Sequence, residues 1–500
     1  VTAVASAARS LARWAWAGDL PAPVKAALLL VWGVAVVYVT AHHEPWRDEA
    51  DTWLAARDLA LEPGALRRFT ACVGTPALWF GALMPLAKGG APYWTASALH
   101  LLLAAAAVGL VVWRSPLPPV LRALLPFSFM FGYEHAVIAR SYVLTVLLLL
   151  LSAALHRRRR ERPLAAALVI GLLANTNAHG FFLAFALGVG LVLDLAPARP
   201  PRWREALGLA LALGGLALWQ LFPRSDGQFL LPQADPLNNM IVAVASGVLP
   251  RAPGAPSLWD LGLVARFVVQ VASAGLVVLA VLGTRRRADR VALLLGLGGL
   301  LFIFGWKNLG DVRHHVMLLA LLLWALWLHR AAPDEADARS RRHMQALTAG
   351  LALALLAGLP TLLGTWRLEV AEPFSGSREA ADFLRAQGLD AGPIAAHRPN
   401  QTSAVLPHLR ARTLWYAGLE ADGSHMAWDL TYMVAQHRVS VTEAAARTAR
   451  RFPAGTCLLL SEPLPDPEQH GFRLVFQSTR PAFRCDEVYW IYRLNAAGSR

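Results

Sequence analysis

Apolar residues along this chain come in long unbroken runs, as in Val143 to Leu155, and not in the narrow stripes of a soluble helix or the alternation of a strand. Several runs approach the roughly 20 residues needed to cross a ~30 Å hydrocarbon core, and they follow one another for most of the chain. The pattern predicts a mainly α, polytopic transmembrane helical bundle. The first run, 24–40, is followed by His42-His43-Glu44-Pro45 and not by a small-residue cleavage site, so it reads as a span and not as a leader.

Hydropathy places the remaining spans at 93–113, 117–133, 136–155, 164–175, 180–195, 206–222 and 261–283. A ninth ends near Trp306-Lys307, and two more cover 312–330 and 345–363, about eleven in all. The segment 76–87 is apolar yet barely long enough to cross. Laying it along the outer interface puts every arginine cluster of the membrane part, such as Arg157-Arg-Arg-Arg160 and Arg285-Arg-Arg287, on the cytoplasmic side. That topology keeps the N-terminus inside and leaves outer loops at 41–92 and 223–258.

From about Glu369 the apolar runs shrink to strand length and polar residues interleave. The expected organisation is a transmembrane domain over 1–365 and a small extracytoplasmic α/β domain over 366–500. Ser377 reads as the N-cap of a helix over 377–387, and 394–396, 457–460, 474–476 and 488–492 read as strands.

Composition agrees with the pattern: 56% of residues are hydrophobic and 16% charged. The net charge of +14 sits in short clusters between spans, without the contiguous basic face that a nucleic-acid partner requires. Cys72, Cys457 and Cys485 are too few for a disulfide framework or a zinc cluster. Cys457 and Cys485 could pair in an oxidising compartment or stay as buried thiols. No Gly-rich phosphate loop or aspartate-rich nucleotide-sugar signature is present, which argues against a cytoplasmic nucleotide donor.

The strongest chemical signal is His42-His-Glu-Pro-Trp-Arg-Asp-Glu-Ala-Asp51, immediately outside the first span. Crowded carboxylates beside lipid repel one another and persist where they meet a cation, pair with arginine or accept a proton. The bland alternative is a hydrated loop with Trp46 and Trp53 at the interface. Lys307, Arg313, His314 and His315 gather at the outer junction of spans 9 and 10, against the usual charge bias, and can neutralise a phosphate. Arg140, inside an apolar stretch with Tyr142 nearby, is a functional candidate. His179, after Asn175 and Asn177, marks a polar break suited to sugar or phosphate contact.

Asp48-Glu49, followed by the Pro-containing stretch Thr75-Pro-Ala-Leu-Trp79, resembles the GT-C membrane glycosyltransferases, and especially the group of protein O-mannosyltransferases and aminoarabinose transferases. The resemblance implies a GT-C-like bundle and a sugar donor linked to polyprenyl phosphate. It implies Asp48 as the base acting on an acceptor hydroxyl or the carboxylate positioning it, with Glu49 either supporting it or joining Asp48 in holding a divalent cation. Arg47, Arg140, Tyr142, His179, Lys307, Arg313, His314 and His315 are then the expected substrate contacts. The expected acceptor is a glycan, a lipid or a protein, and the expected location is the bacterial inner membrane. Two other readings are a transporter or flippase of lipid-linked sugars and another transferase of polyprenyl-linked polymers. A transporter would show internal repeats and mid-membrane polar breaks, whereas the polar groups here gather at one edge.

Overall fold

The computed structural model describes residues 16, 18–227, 233–251, 262–332, 337–480, 482–483 and 485–496. The parts of the expected 223–258 loop at 228–232 and 252–258 lie outside them. The first helix, α1 (Ala22–His42), is followed by three shorter ones, α2 (Arg47–Asp58), α3 (Pro63–Val73) and α4 (Leu78–Lys88). Next come α5 (Trp94–Arg114), α6 (Pro119–Leu124), α7 (Tyr142–Leu155), α8 (Pro163–Ala174), α9 (Ala178–Ala198) and α10 (Trp203–Leu221). The bundle closes with α11 (Pro236–Val248), α12 (Leu263–Gly283), α13 (Arg287–Phe302), α14 (Val312–His315), α15 (Met317–Ala331) and α16 (Ala338–Ala371).

Among the described residues, 7 helices are long and apolar enough to cross a membrane. They correspond to expected spans 1, 2, 6 and 8–11. Two of them, α1 and α12, turn large apolar residues such as Leu30, Val34, Val264 and Phe267 to the outside, as helices facing lipid do. The other expected spans are shorter, more polar or interrupted. Residues 117–133 do not form one span: α6 gives way to a 3-10 turn at Leu125–Phe127 and a π-helical turn at Met130–Glu134. Pro126 lacks an amide donor and Ser128 bonds back to the Phe131 amide, so the regular ladder cannot continue. The fourth expected span, 136–155, becomes helical only at Tyr142, the start of α7, leaving Arg140 on irregular backbone.

The expected outer loop 223–258 contains α11, an apolar helix whose N-cap Asp235 accepts from the Asn238 amide. Helix α11 approaches α14 closely enough that a Cβ on Gly247 would meet the His315 carbonyl at 2.4 Å. Helix α16 continues past residue 365 to Ala371, so the membrane part and the terminal domain share one uninterrupted rod.

The terminal domain begins with α17 (Ser377–Ala386), whose N-cap is Gly376, with Ser377 as the first helical residue. Its mixed sheet has the order β3 (Ala421–Gly423), β2 (Leu414–Tyr416), β1 (Ile394–Ala396), β4 (Cys457–Leu460), β6 (Trp490–Leu494) and β5 (Phe472–Gln477). Strand β1 runs parallel to β2 and β4, and the outer pairs are antiparallel. Helices α18 (Leu430–Arg438) and α19 (Val441–Arg451) complete it. All three cysteines are free.

Candidate active site

Helix α2 carries three acids of the sequence motif, Asp48, Glu49 and Asp51, and helical geometry sends each in its own direction, since neighbours on a helix are ~100° apart. Asp48 and Glu49 lie in the first turn, where the helix dipole favours negative charge. The Asp48 carboxylate meets two guanidiniums at one oxygen: Arg140 Nη1 and Arg313 Nη2 each lie 3.3 Å from Oδ2. Arg140 Nη1 also donates to the Asp48 carbonyl at 2.6 Å. Beneath Arg313 lies the Trp46 ring, 4.9 Å from the guanidinium carbon, a cation–π support. Burial alone would raise the Asp48 pKa, but Arg140, Arg313 and Arg47 outweigh it and hold the carboxyl below its ordinary range.

Arg313 owes its position to a tight local turn. Gly310 takes φ 73°, a left-handed conformation in which a Cβ would meet His314 Nδ1 at 2.5 Å. Asp311 caps α14 by accepting from the Val312 amide, and the Asp311 amide donates to His314 Nδ1 at 2.8 Å. With Nδ1 accepting, His314 Nε2–H is left to donate to the Tyr142 hydroxyl at 2.8 Å. His135 Nε2 contacts the Arg313 carbonyl at 3.0 Å and braces the same turn.

Beside this group lies a cavity of about 260 Å³ lined by Tyr142, His179, Lys307, His314 and Arg224 together with Phe181, Phe182, Leu218 and Phe302. Neither ring nitrogen of His179 has a hydrogen-bond partner among the described residues, although the residue is only 6% exposed. Asn177 places it by capping α9 through the Gly180 amide. The cavity is therefore apolar over most of its wall, with Tyr142, His179 and His314 clustered in its polar part and Lys307 and Arg224 also in its lining. That is the lining required by a long hydrocarbon chain ending in an anionic headgroup.

The remaining expected contacts point elsewhere. Glu49 is 4% exposed, and its oxygens are taken by the Ala139 amide at 2.6 Å and His43 Nε2 at 2.8 Å. His43 Nδ1 contacts Glu369 at 2.7 Å, and the Tyr133 hydroxyl donates to the other Glu369 oxygen. Burial would lower the His43 pKa, but Glu49 and Glu369 outweigh it and raise it to about 10, so the ring is an imidazolium between two carboxylates. Arg47 turns to the terminal domain, with Nη1 2.5 Å from Asp486 Oδ1 and its amide donating to Glu487 Oε1 at 2.9 Å. His315 Nε2 holds the Leu309 carbonyl at 2.7 Å and edges onto Phe304. Asn175 ties together Gly171, Leu213 and Gln220.

Asp51 is a third acid with its own task. It accepts from the Met426 amide at 2.6 Å and from Trp428 Nε1 at 3.1 Å, docking the terminal domain onto α2. Burial pushes its carboxyl up to about 6. Sequence reasoning missed this role, and it missed Glu369, His43 and Arg224. Glu369, an acid in the last turn of the final apolar helix, was a visible signal.

Asp48 and Glu49 do not converge as a cation site. One carboxylate faces two guanidiniums and the other is fully hydrogen-bonded, and no group of three His, Cys, Asp or Glu able to hold a metal occurs among the described residues.

The chain combines a multi-span helical bundle, a helical outer segment carrying acids and a small terminal sheet domain in an arrangement of the GT-C type. Among solved structures, the chain is similar to ArnT from Cupriavidus metallidurans, crystallised with undecaprenyl phosphate. The TM-score is 0.50 at 15% sequence identity, over 94% of this chain and 96% of that one. No protein-family profile matches the sequence, and no curated protein matches it.

Proposed function

We propose that this protein is a glycosyltransferase that moves a sugar from a polyprenyl-phosphate carrier to an acceptor hydroxyl on the membrane face bearing Asp48. The observation that carries this reading is the Asp48 carboxylate held between Arg140 and Arg313 beside a largely apolar cavity whose lining includes Lys307, His179 and His314. The ArnT structure supports it, because a protein of the same fold binds undecaprenyl phosphate.

In this reading the carrier tail lies along the apolar wall, and its phosphate reaches Arg313, Arg140 and Lys307. The acceptor oxygen attacks the anomeric carbon as the bond from that carbon to the phosphate oxygen breaks. The bonding pair leaves with the phosphate, configuration inverts, and the acceptor proton passes to Asp48. A phosphate leaves as a stable anion, so no protonating acid is required. Asp48 in the free protein is a weak base because the guanidiniums stabilise its charge. A carrier phosphate drawing Arg140 and Arg313 to itself removes that stabilisation, so donor binding strengthens the base when it is needed. Glycosidic chemistry then belongs to the outer leaflet of a bacterial inner membrane, with the terminal domain above it.

The test is reconstitution of purified protein in membranes carrying polyprenyl-phosphate sugars, measuring release of free polyprenyl phosphate. Wild type should release it, and Asp48→Asn should not, while still binding undecaprenyl phosphate and eluting as folded protein. Normal release by Asp48→Asn would end the assignment. Movement of carrier-linked sugar across the bilayer without release would replace it with a transporter.

A further inference from the structure

His179 lines the cavity beside Asp48, is buried, and has no hydrogen-bond partner at either ring nitrogen among the described residues. Leaving buried polar atoms unmet is costly, yet the ring is firmly placed. Asn177 fixes the start of α9 by accepting from the Gly180 amide, while its own side-chain amide donates to Ser141 and Thr145. The His179 ring stacks on His314 at 5.2 Å, tilts against Phe304 at 5.5 Å and meets Tyr142 edge to face at 6.1 Å. A neutral imidazole donates from one nitrogen and accepts at the other, the two roles that a hydroxyl offers in return.

The polar lining around it is mostly of the same uncharged kind, with Tyr142, Thr75 and Asn308. Among the described residues no carboxylate lines the cavity, whereas Arg224 and Lys307 do. Two acids outside that lining are already committed: Asp226 to both prongs of Arg224, and Asp48 to Arg140 and Arg313. A protonated amine brought here would lose its water without gaining a counter-ion, and a hydroxyl brings no charge to desolvate. Tyr142 follows Arg140 by two positions and His314 comes directly after Arg313, so the uncharged cluster adjoins the two arginines assigned to the carrier phosphate.

We propose that His179 reads a hydroxyl of the donor sugar and that this sugar carries no basic amino group. The inference rests on the proposed function and narrows its substrate. It separates this chain from the aminoarabinose transferases that its acidic motif resembles, since the sugar moved there is itself an amine. A site built to bond a hydroxyl rejects an analogue lacking it by more than the lost contact, because the protein group is left unmet.

The test is displacement of labelled undecaprenyl phosphate from solubilised full-length protein at neutral pH. The competitors are undecaprenyl phosphate linked to arabinose or to 4-amino-4-deoxyarabinose, and the corresponding glucose pair. In at least one pair, wild type should bind the hydroxyl member at least about ten-fold more tightly than the amino member. His179→Leu should weaken that hydroxyl donor about ten-fold, the scale of one buried hydrogen bond, and bare undecaprenyl phosphate less than about two-fold. Asn308→Asp keeps the oxygen that accepts from the Gly310 amide and adds a carboxylate to the lining. It should tighten the amino donor about two- to five-fold, the scale of a partly exposed ion pair, and it serves as the test where His179→Leu does not fold. Equal or tighter binding of both amino donors by wild type, equal weakening of donor and bare carrier in His179→Leu, or no gain in Asn308→Asp overturns the sugar assignment and leaves the transferase standing. Failure of undecaprenyl phosphate itself to bind overturns the proposed function, and this inference with it.

Discussion

Asp48 and Glu49 are adjacent, chemically near-identical and carried on the same helical turn, yet they lead opposite lives. The Asp48 side chain keeps 16% of its surface and shares one oxygen between two arginines at the edge of a cavity. Glu49 keeps 2%, and both its oxygens are saturated by a histidine and a backbone amide. A fully hydrogen-bonded buried carboxylate is inert because any change leaves a charge without a partner. One that is electrostatically compensated but still reachable can exchange its partners for a substrate. What separates structure from chemistry here is what else can arrive at the group.

Four experiments would break or sharpen that contrast. Asp48→Asn should lower sugar transfer by about 10²–10⁴-fold, the range of a lost general base, in protein that still folds. Glu49→Gln should do the reverse. Disrupting a buried ion network costs about 3–5 kcal/mol, visible as a lowered unfolding temperature, while the protein that remains folded keeps most of its turnover. Loss of turnover without loss of stability in Glu49→Gln would erase the distinction. Arg313→Ala should cost about 10²–10³-fold in turnover, as for a lost donor at a developing anion, and should weaken undecaprenyl phosphate binding in a direct titration.

The smallest effect is a pH dependence confined to the buried half. The folded pKa of His43, about 10, lies above its ordinary 6.5. Its stabilising contribution is therefore complete below pH 6.5 and is lost as the pH rises through about 10. Asp48 has the opposite sign: its depressed pKa stabilises the fold above about pH 3.8, and that contribution is lost in acid. Unfolding temperatures measured across alkaline pH should fall near 10 in wild type and at lower pH in Glu49→Gln, where one of the two carboxylates holding the imidazolium has gone.

The bundle was legible in the sequence because hydropathy is summed over many residues and survives local error. Where single residues decide, it was not. Pro126 and Ser128 turn an apolar run into a 3-10 turn and a π turn, and the run still averages as a span. Asp235-Pro236 starts a helix in what reads as a loop. The short strands β2 and β3 carry too few residues to show alternation. At the site, the motif located α2 and the basic residues of α14, which meet at Asp48 across 265 positions of sequence. It could not say which of three neighbouring acids faces which partner, because that depends on the helical phase and on Glu369, Met426 and Trp428, supplied by distant segments.

The span of sequence between His43 and Glu369 also has a consequence for how the protein is made. Their 326-residue separation takes roughly 15–65 s to synthesise at ordinary ribosomal rates. Throughout that interval the first segment sits in the bilayer with an acidic turn whose counterpart has not yet left the ribosome. Only delivery of α16 completes the His43 network, and only then can the terminal domain clamp Asp51. A chain that stops before α16 therefore leaves His43 without its second carboxylate and Asp51 without the Met426 and Trp428 donors.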